Sequence, residues 1–308
     1  MLIVMIFVFC FSSFSQTDTL YVYSGGNILF QEANYNVDSI ITDDQNDSVL
    51  ILNNMAVIYS NKVSQIDSII FYNASNPPFI CGLDYVYDID GNAYRTIQLG
   101  NQCWMRENLK VTKYPNADSI PYVVSDYEWT ILGNNAYADA MCYYNNDTLN
   151  KDIYGALYTH SAATAVNWTC HNQAGQGICP DGWHLPTDDE WKELELYVGM
   201  SQNEVDNNGM RGLNEGSIIS ADKLLWQNDV LVFNPDFESS GFDALPAGNR
   251  NGTVGIGGFM HLHTDTQIWT ASSIGGNAYH RRIQYDNTGI IRNTPNKSYG
   301  FSVICVKD

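Results

Sequence analysis

Basic residues are scarce in this chain: 15 Lys plus Arg stand against 34 Asp plus Glu in 308 residues, a formal net charge of −19. Such a balance repels nucleic acid and anionic membrane surfaces at long range, which argues against either as a partner. No apolar run reaches the ~20 residues needed to cross a bilayer as a helix. Cys-x-x-Cys pairs and the His–Cys spacings of zinc sites are missing as well. No glycine-rich loop precedes a helix to cradle phosphate, because Gly252 to Gly258 runs into Phe259 and strand-like sequence. Ser272 and Ser273 lie in no nucleophile-elbow pattern. Asp88-Ile89-Asp90-Gly91-Asn92 begins like a calcium loop, but Gln98 stands where the bidentate Glu belongs, so a hairpin turn between Val86 and Tyr94 is expected. His261-x-His263 and Asp265 would share one face of a strand, yet no further residue completes a zinc shell. These absences leave no expected catalytic residue, metal or cofactor, and structural calcium is unsupported.

The amino terminus is the first positive signal. Leu2 to Phe11 is apolar and is followed by the small-x-small pattern Ser13-Phe14-Ser15, which reads as a secretory signal peptide over residues 1–15 despite the lack of a basic start. Bulky Phe9 before Cys10 argues against a lipid anchor at that cysteine. Removing this segment leaves Cys81, Cys103, Cys142, Cys170, Cys179 and Cys305, an even count that in a secreted chain favours disulfides, with 15 connectivities open.

Residues 18–72 contain two copies of one pattern offset by 29 positions. Gly25-Gly26 aligns with Asn54-Met55, Ile28-Leu29-Phe30 with Val57-Ile58-Tyr59, and Val37-Asp38-Ser39-Ile40 with Ile66-Asp67-Ser68-Ile69. Each copy reads as a hairpin followed by a third strand, a small all-β unit that must pair with its own repeat or a neighbour to close a core. Residues 73–81, with Asn76-Pro77-Pro78, form a linker to a domain over 82–308.

Within that domain, Thr159 to Val166 is small and Ala-rich and reads as one helix. A second begins in Cys179-Pro-Asp-Gly-Trp-His-Leu-Pro-Thr-Asp-Asp-Glu-Trp191, where Thr187 and Glu190 have capping-box spacing and three acids occupy the first turn. Trp191, Leu194, Tyr197 and Val198 would form its buried stripe. Short strands separated by Gly/Asn turns follow from Gly241 onward, so the architecture is α+β: two helices, then an antiparallel sheet.

Seven blocks in register resemble the Fibrobacter succinogenes major paralogous domain. They are Asp88-Ile-Asp-Gly-Asn92, Gly100-Asn-Gln-Cys-Trp-Met-Arg-Glu-Asn-Leu109, Tyr154-Gly-Ala-Leu-Tyr158, the stretch from Cys179 to Trp191, Gly241-Phe-Asp-Ala-Leu-Pro-Ala-Gly-Asn-Arg250, Trp269-Thr-Ala-Ser-Ser273, and Gly300-Phe-Ser-Val-Ile-Cys-Val-Lys-Asp308. The resemblance implies a C-type-lectin-like fold, related to the formylglycine-generating (sulfatase-modifying) enzymes, in a secreted Bacteroidetes-type protein. It also makes Cys179–Cys305 the expected disulfide, since both cysteines lie in family blocks, with Cys103–Cys142 a further candidate pair. Two departures stand out. The related enzymes work through paired reactive cysteines near the C-terminal core, whereas only Cys305 follows Cys179 here, and Trp226-Gln227-Asn228-Asp229 has one residue too many for the lectin Trp-Asn-Asp motif.

The candidate ligand surface comprises Asn249, Arg250, Trp269, Tyr279, His280, Arg281, Arg282, Asn287 and Arg292, which gather cations, amides and aromatics in an acidic protein. Two readings of these residues stand: a face that stacks on sugars or grips a carboxylate, or a core of Trp269 and Tyr279 with arginines paired to acids. The expected function is a secreted or cell-surface, non-enzymatic binding or adhesion protein with a glycan or cell-surface protein as partner. An oxidoreductase like the formylglycine-generating enzymes and a ligand-free spacer are the rival readings.

Overall fold

A computed structural model describes residues 18–24, 27–33, 37, 39–43, 48–53, 56–66, 68–73, 79–132, 138–167, 175–253 and 255–308. They divide into two compact units between Ile80 and Cys81. The expected signal peptide, the turn pairs Gly25-Gly26 and Asn54-Met55, most of the expected linker and Cys170 lie outside the described residues.

In the first unit the repeat becomes six strands: β1 (Asp18–Ser24), β2 (Asn27–Ala33), β3 (Ser39–Asp43), β4 (Ser48–Asn53), β5 (Ala56–Lys62) and β6 (Ser68–Asn73). They form two three-stranded sheets, β2-β1-β6 and β3-β4-β5. Each hairpin therefore takes its third strand from the other repeat. Registers match across the exchange: Val22 faces Phe30 and Ile51 faces Tyr59, each just before a bulge, while Leu20 pairs with Phe71 and Val49 with Thr42. Leu20, Val22, Val37 and Ile51 are buried between the sheets, and the equivalent rings Phe30 and Tyr59 stack at 4.7 Å between centroids. A single repeat has no second sheet to cover its apolar face, so the two copies complete one core together.

The second unit begins with β7 (Val86–Tyr87), β8 (Ala93–Tyr94), β9 (Thr96–Leu99) and β10 (Gln102–Met105), followed by α1 (Asp126–Leu132), β11 (Met141–Cys142), α2 (Thr148–Tyr154), β12 (Leu157–Tyr158), α3 (His160–Thr164), β13 (Trp183–His184) and α4 (Asp188–Tyr197). Then come β14 (Gly209–Arg211), α5 (Glu215–Ile219), α6 (Val230–Phe233), β15 (Ala247–Arg250), β16 (Phe259–Leu262), β17 (Asp265–Ile274), β18 (Asn277–Gln284), β19 (Ile290–Asn293) and β20 (Val306–Lys307). The class is α+β, with six α-helices among the described residues where two were expected. The additional ones span at most seven residues, too short for a 3.6-residue period to show.

Two sheets organise this unit. A four-stranded sheet, β13-β20-β10-β9, sits under α4, and a six-stranded sheet runs β14-β19-β18-β17-β15-β16. The central helix starts as its sequence requires: Thr187 accepts from the Glu190 amide, and the Glu190 carboxylate accepts from the Thr187 amide at 2.7 Å. Its buried stripe differs from expectation. Tyr197 is 58% exposed and covers the β9–β10 turn at Gly100, while Glu195 is fully buried beside Asp188, Trp191 and Leu194. Trp191 meets Trp104 and Phe242 at centroid distances of 5.1 and 5.6 Å, joining helix and four-stranded sheet in an aromatic core. The hairpin expected between Val86 and Tyr94 is present, and buried Asp88 spends its carboxylate on the Asp90 and Asn92 amides, the Asn92 side chain and Tyr94 Oη.

Candidate functional site

Alternation along β17 and β18 divides the sequence-derived ligand residues between two faces. Arg281 points at α4, where Nη1 donates to Asp188 Oδ1 at 2.7 Å and Nε donates to Glu195 Oε1 at 2.6 Å. Arg292 donates to Asp188 Oδ2 at 2.6 Å, and Arg211 also pairs with Glu195. All five groups are buried. Burial pushes the Asp188 carboxyl up, but hydrogen bonds and charge from Arg292 and Arg281 outweigh it and hold the carboxyl well below its usual range. These arginines are thus internal ties between helix and sheet, and the expected exposed cationic face is corrected at both positions.

Arg250 and Trp269 are corrected in the same way. Arg250 is fully buried, lies over the rings of Trp129 and Phe259 at 4.5 and 4.7 Å, and donates to the Val123 and Val124 carbonyls and to Asp126. Trp269 is a core residue against Phe301, its indole N–H donating to the Tyr158 carbonyl. Tyr279 is half-buried beneath the Arg292 guanidinium at 4.3 Å, and the Asn287 side chain accepts from the Gly289 amide in the β18–β19 turn.

The remaining three, Asn249, His280 and Arg282, come together on the other face of the six-stranded sheet, in a cavity of about 440 Å³. That volume lies within the range of small-molecule sites. Strand pairing explains the grouping: Gln267 sits opposite Arg282, and Trp269 and Asn293 lie opposite His280. Asn251, Gln267, Asn293, Tyr299 and Phe301 also line it, with Met260, His261, Ile291, Thr294 and Pro295 beside them. Gln267 Nε2 donates to Asn249 Oδ1 at 3.0 Å, and Thr253 bridges by side-chain hydroxyl to Tyr299 Oη at 2.9 Å. The Arg282 guanidinium is tied to Asp265, itself 2% exposed in its side chain. His280 stacks on Phe301 at 5.2 Å, and its buried Nδ1 has no hydrogen-bond partner. Burial, then the charges of Arg281 and Arg282, push the imidazole down to about 3, so it is neutral at physiological pH. The missed residues have a signal in hindsight: Asn251 and Gln267 lie two positions from Asn249 and Trp269, the spacing that shares a strand face. Two smaller cavities, of about 250 Å³ beside Val86 and Gln176 and about 150 Å³ beside His160 and Lys297, gather fewer convergent polar groups.

Cysteine placement bears on chemistry. Cys179 is bonded to Cys305, and Cys103 is bonded to Cys81, replacing the expected Cys103–Cys142 pair. Cys142 is a buried free thiol, pushed up to about 12 by burial against the lesser, opposing pull of Arg250. His261 reaches Asp265 only at 3.8 Å, and His263 Nδ1 meets the Leu225 carbonyl at 2.8 Å, so the two imidazoles serve different neighbours. Among the described residues no group of three His, Cys, Asp or Glu side chains is placed to hold a metal, and no helix is long and apolar enough to cross a membrane.

Compared with known families, residues 97–307 match the profile of the Fibrobacter succinogenes major domain. The chain belongs to this family. The match takes in the four-stranded sheet, α4 and the whole wall of the 440 Å³ cavity, so the site lies inside the family domain. No curated protein and no solved structure matches the chain.

Proposed function

We propose that this member of the Fibrobacter succinogenes major domain family is an extracellular, non-enzymatic binding or adhesion protein. In this reading residues 82–308 adopt a C-type-lectin-like arrangement, and the cavity on the six-stranded sheet receives a glycan or a protein displayed on a cell surface. The observation that carries it is the convergence of four amide side chains, His280, Arg282 and Tyr299 in one cavity. Such groups orient a ligand by hydrogen bonds while an aromatic ring offers a stacking surface. Two disulfides and the leader-like amino terminus support an extracellular setting. The rival oxidoreductase needs accessible thiols; among the described residues Cys81 is bonded to Cys103 and Cys179 to Cys305, and the Cys142 thiol is buried and protonated at neutral pH.

Polysaccharide pull-down and glycan-array binding by the full chain, alongside Asn293→Ala and Tyr299→Ala, test the proposal. Both positions retain some exposure, so the variants should keep the wild-type circular dichroism and melting midpoint while losing at least about tenfold in affinity, the equivalent of one good hydrogen bond or ring contact. Absence of any surface-component binding would leave the spacer reading, and turnover of a cysteine-containing peptide would restore the enzyme. Arg281→Ala and Trp269→Ala are unsuited to this test, since both side chains hold the fold.

A further inference from the structure

The occupant's chemistry can be read from the charges of the cavity, on the premise that this cavity is the binding site. We infer that it takes an uncharged saccharide, held by hydrogen bonds from amides to hydroxyls with the His280 imidazole at its wall. The first ground is that the guanidinium there is already paired with a carboxylate, and His261 stands 3.8 Å from that same carboxylate. Arg282 donates through Nε and Nη2 to Asp265 Oδ2, so its charge is already matched by a buried carboxylate and an anionic sugar would meet only the Nη1 edge of a paired guanidinium. Asp265 in turn is 2% exposed and carries the Arg282 pairing on Oδ2, so its charge is matched before any ammonium group arrives. His280 is 4% exposed, lies next to two arginines and is uncharged.

The second ground is what remains unspent. Asn249 and Gln267 satisfy one another through a single bond, and among the described residues no hydrogen bond engages the Asn249 amide nitrogen or the Gln267 amide oxygen. Whichever way that amide pair is oriented, one donor and one acceptor are left. His280 adds Nδ1, buried and without a partner. A hydroxyl both donates and accepts, so a ligand dense in hydroxyls answers this mixed set, whereas a carboxylate or sulfate, which only accepts, answers half of it. Tyr299, 5.5 Å from Phe301 between centroids, offers a ring to the apolar face of a pyranose.

Isothermal titration of the full chain with neutral β-1,4-linked gluco-, manno- and xylo-oligosaccharides, polygalacturonate and chitosan oligosaccharide, at 50 and 500 mM NaCl, tests this. A neutral probe should bind with a Kd that changes less than about twofold between the two salt concentrations, since no counterions are exchanged. His280→Phe keeps a ring against Phe301 but removes the nitrogens and should weaken that binding at least about tenfold; Asn293→Ala, at an exposed position, repeats the test where packing is not at stake. Binding confined to polygalacturonate or chitosan, or an affinity that collapses with salt, overturns the inference while leaving the cavity as the site. Neutral-sugar binding indifferent to both variants overturns the placement of the site itself. If no sugar binds but a cell-surface protein does, and Asn293→Ala abolishes it, the inference fails and the binding reading stands.

Discussion

Asp188 does two jobs with one carboxylate: it opens α4 as an acid in the first turn and it neutralises Arg281 and Arg292. Removing a single member of a buried ionic group costs far more than the group contributes as a whole, because the survivors remain desolvated. Asp188→Ala should therefore lower the unfolding free energy by about 3–5 kcal/mol, read from urea denaturation of the full chain. Its neighbour Asp189 has a side chain 89% exposed and, among the described residues, pairs with Lys192 alone. Asp189→Ala should accordingly stay within about 0.5 kcal/mol of wild type, and comparable losses in the two variants would refute the assignment. The sequence made Arg281, Arg292 and Arg250 conspicuous as cations in an acidic chain, but not their destinations. Their acidic partners are 86 to 124 residues away, and only the folded chain pairs them.

Elements whose causes are local were the ones the sequence revealed. The start of α4 is written in Thr187 and Glu190, and the β7–β8 hairpin in its Asp-Gly-Asn turn. The buried stripe of α4 departs from expectation at Tyr197, which is exposed, and at Val198, which is half-buried just past the helix end: hydrophobicity ranks both above Glu195, whereas the burial of Glu195 is decided by Arg211 and Arg281 arriving from β14 and β18. The 29-residue repeat was visible too, but not the exchange of third strands, since either pairing buries the same residues locally. A testable consequence lies where β13 meets α4. His184 bonds Glu190 Oε1 through Nε2 and Asp308 Oδ1 through Nδ1, both at 2.6 Å. The Glu190 hydrogen bond, with Asp308 adding to it, raises the His184 pKa above 6.5 despite burial. Burial works to raise Glu190, but bonds from His184 and Thr187 prevail and lower it below 4.5. A raised histidine stabilises fully below its unfolded value and loses that contribution as pH rises through the folded value; a lowered carboxylate stabilises above its unfolded value and loses that contribution as pH falls through the folded one. The melting midpoint should thus decline as pH climbs from 6.5 through the raised folded value, and His184→Gln should flatten that decline. An unchanged slope in the variant would show that the bridge carries no linkage.

At the scale of the whole domain, both disulfides converge on the four-stranded sheet: Cys103 lies in β10, and Cys305 directly precedes β20 while its carbonyl accepts from the Met105 amide. The sequence could not choose among fifteen pairings, and family position supplied Cys179–Cys305 alone of the two observed. What brings Cys81 to Cys103 is the return of the chain over residues 79–99 to the start of β10, a tertiary path with no local signature. The two bridges close loops of very different size, with sequence separations of 126 and 22. In the chain-entropy account the longer restricts the unfolded ensemble by about 5 kcal/mol and the shorter by about 3 kcal/mol. Replacing Cys179 and Cys305 together by Ser should therefore cost more stability than replacing Cys81 and Cys103, by roughly 1–2 kcal/mol in equilibrium denaturation. Peptide mapping without reductant provides the independent check. It should recover Cys81–Cys103 and Cys179–Cys305 as linked peptides and alkylate Cys142 only after the protein is unfolded, because that thiol is buried. A Cys103–Cys142 linked peptide, or equal losses from the two double replacements, would mean that the sheet is not stapled in this way.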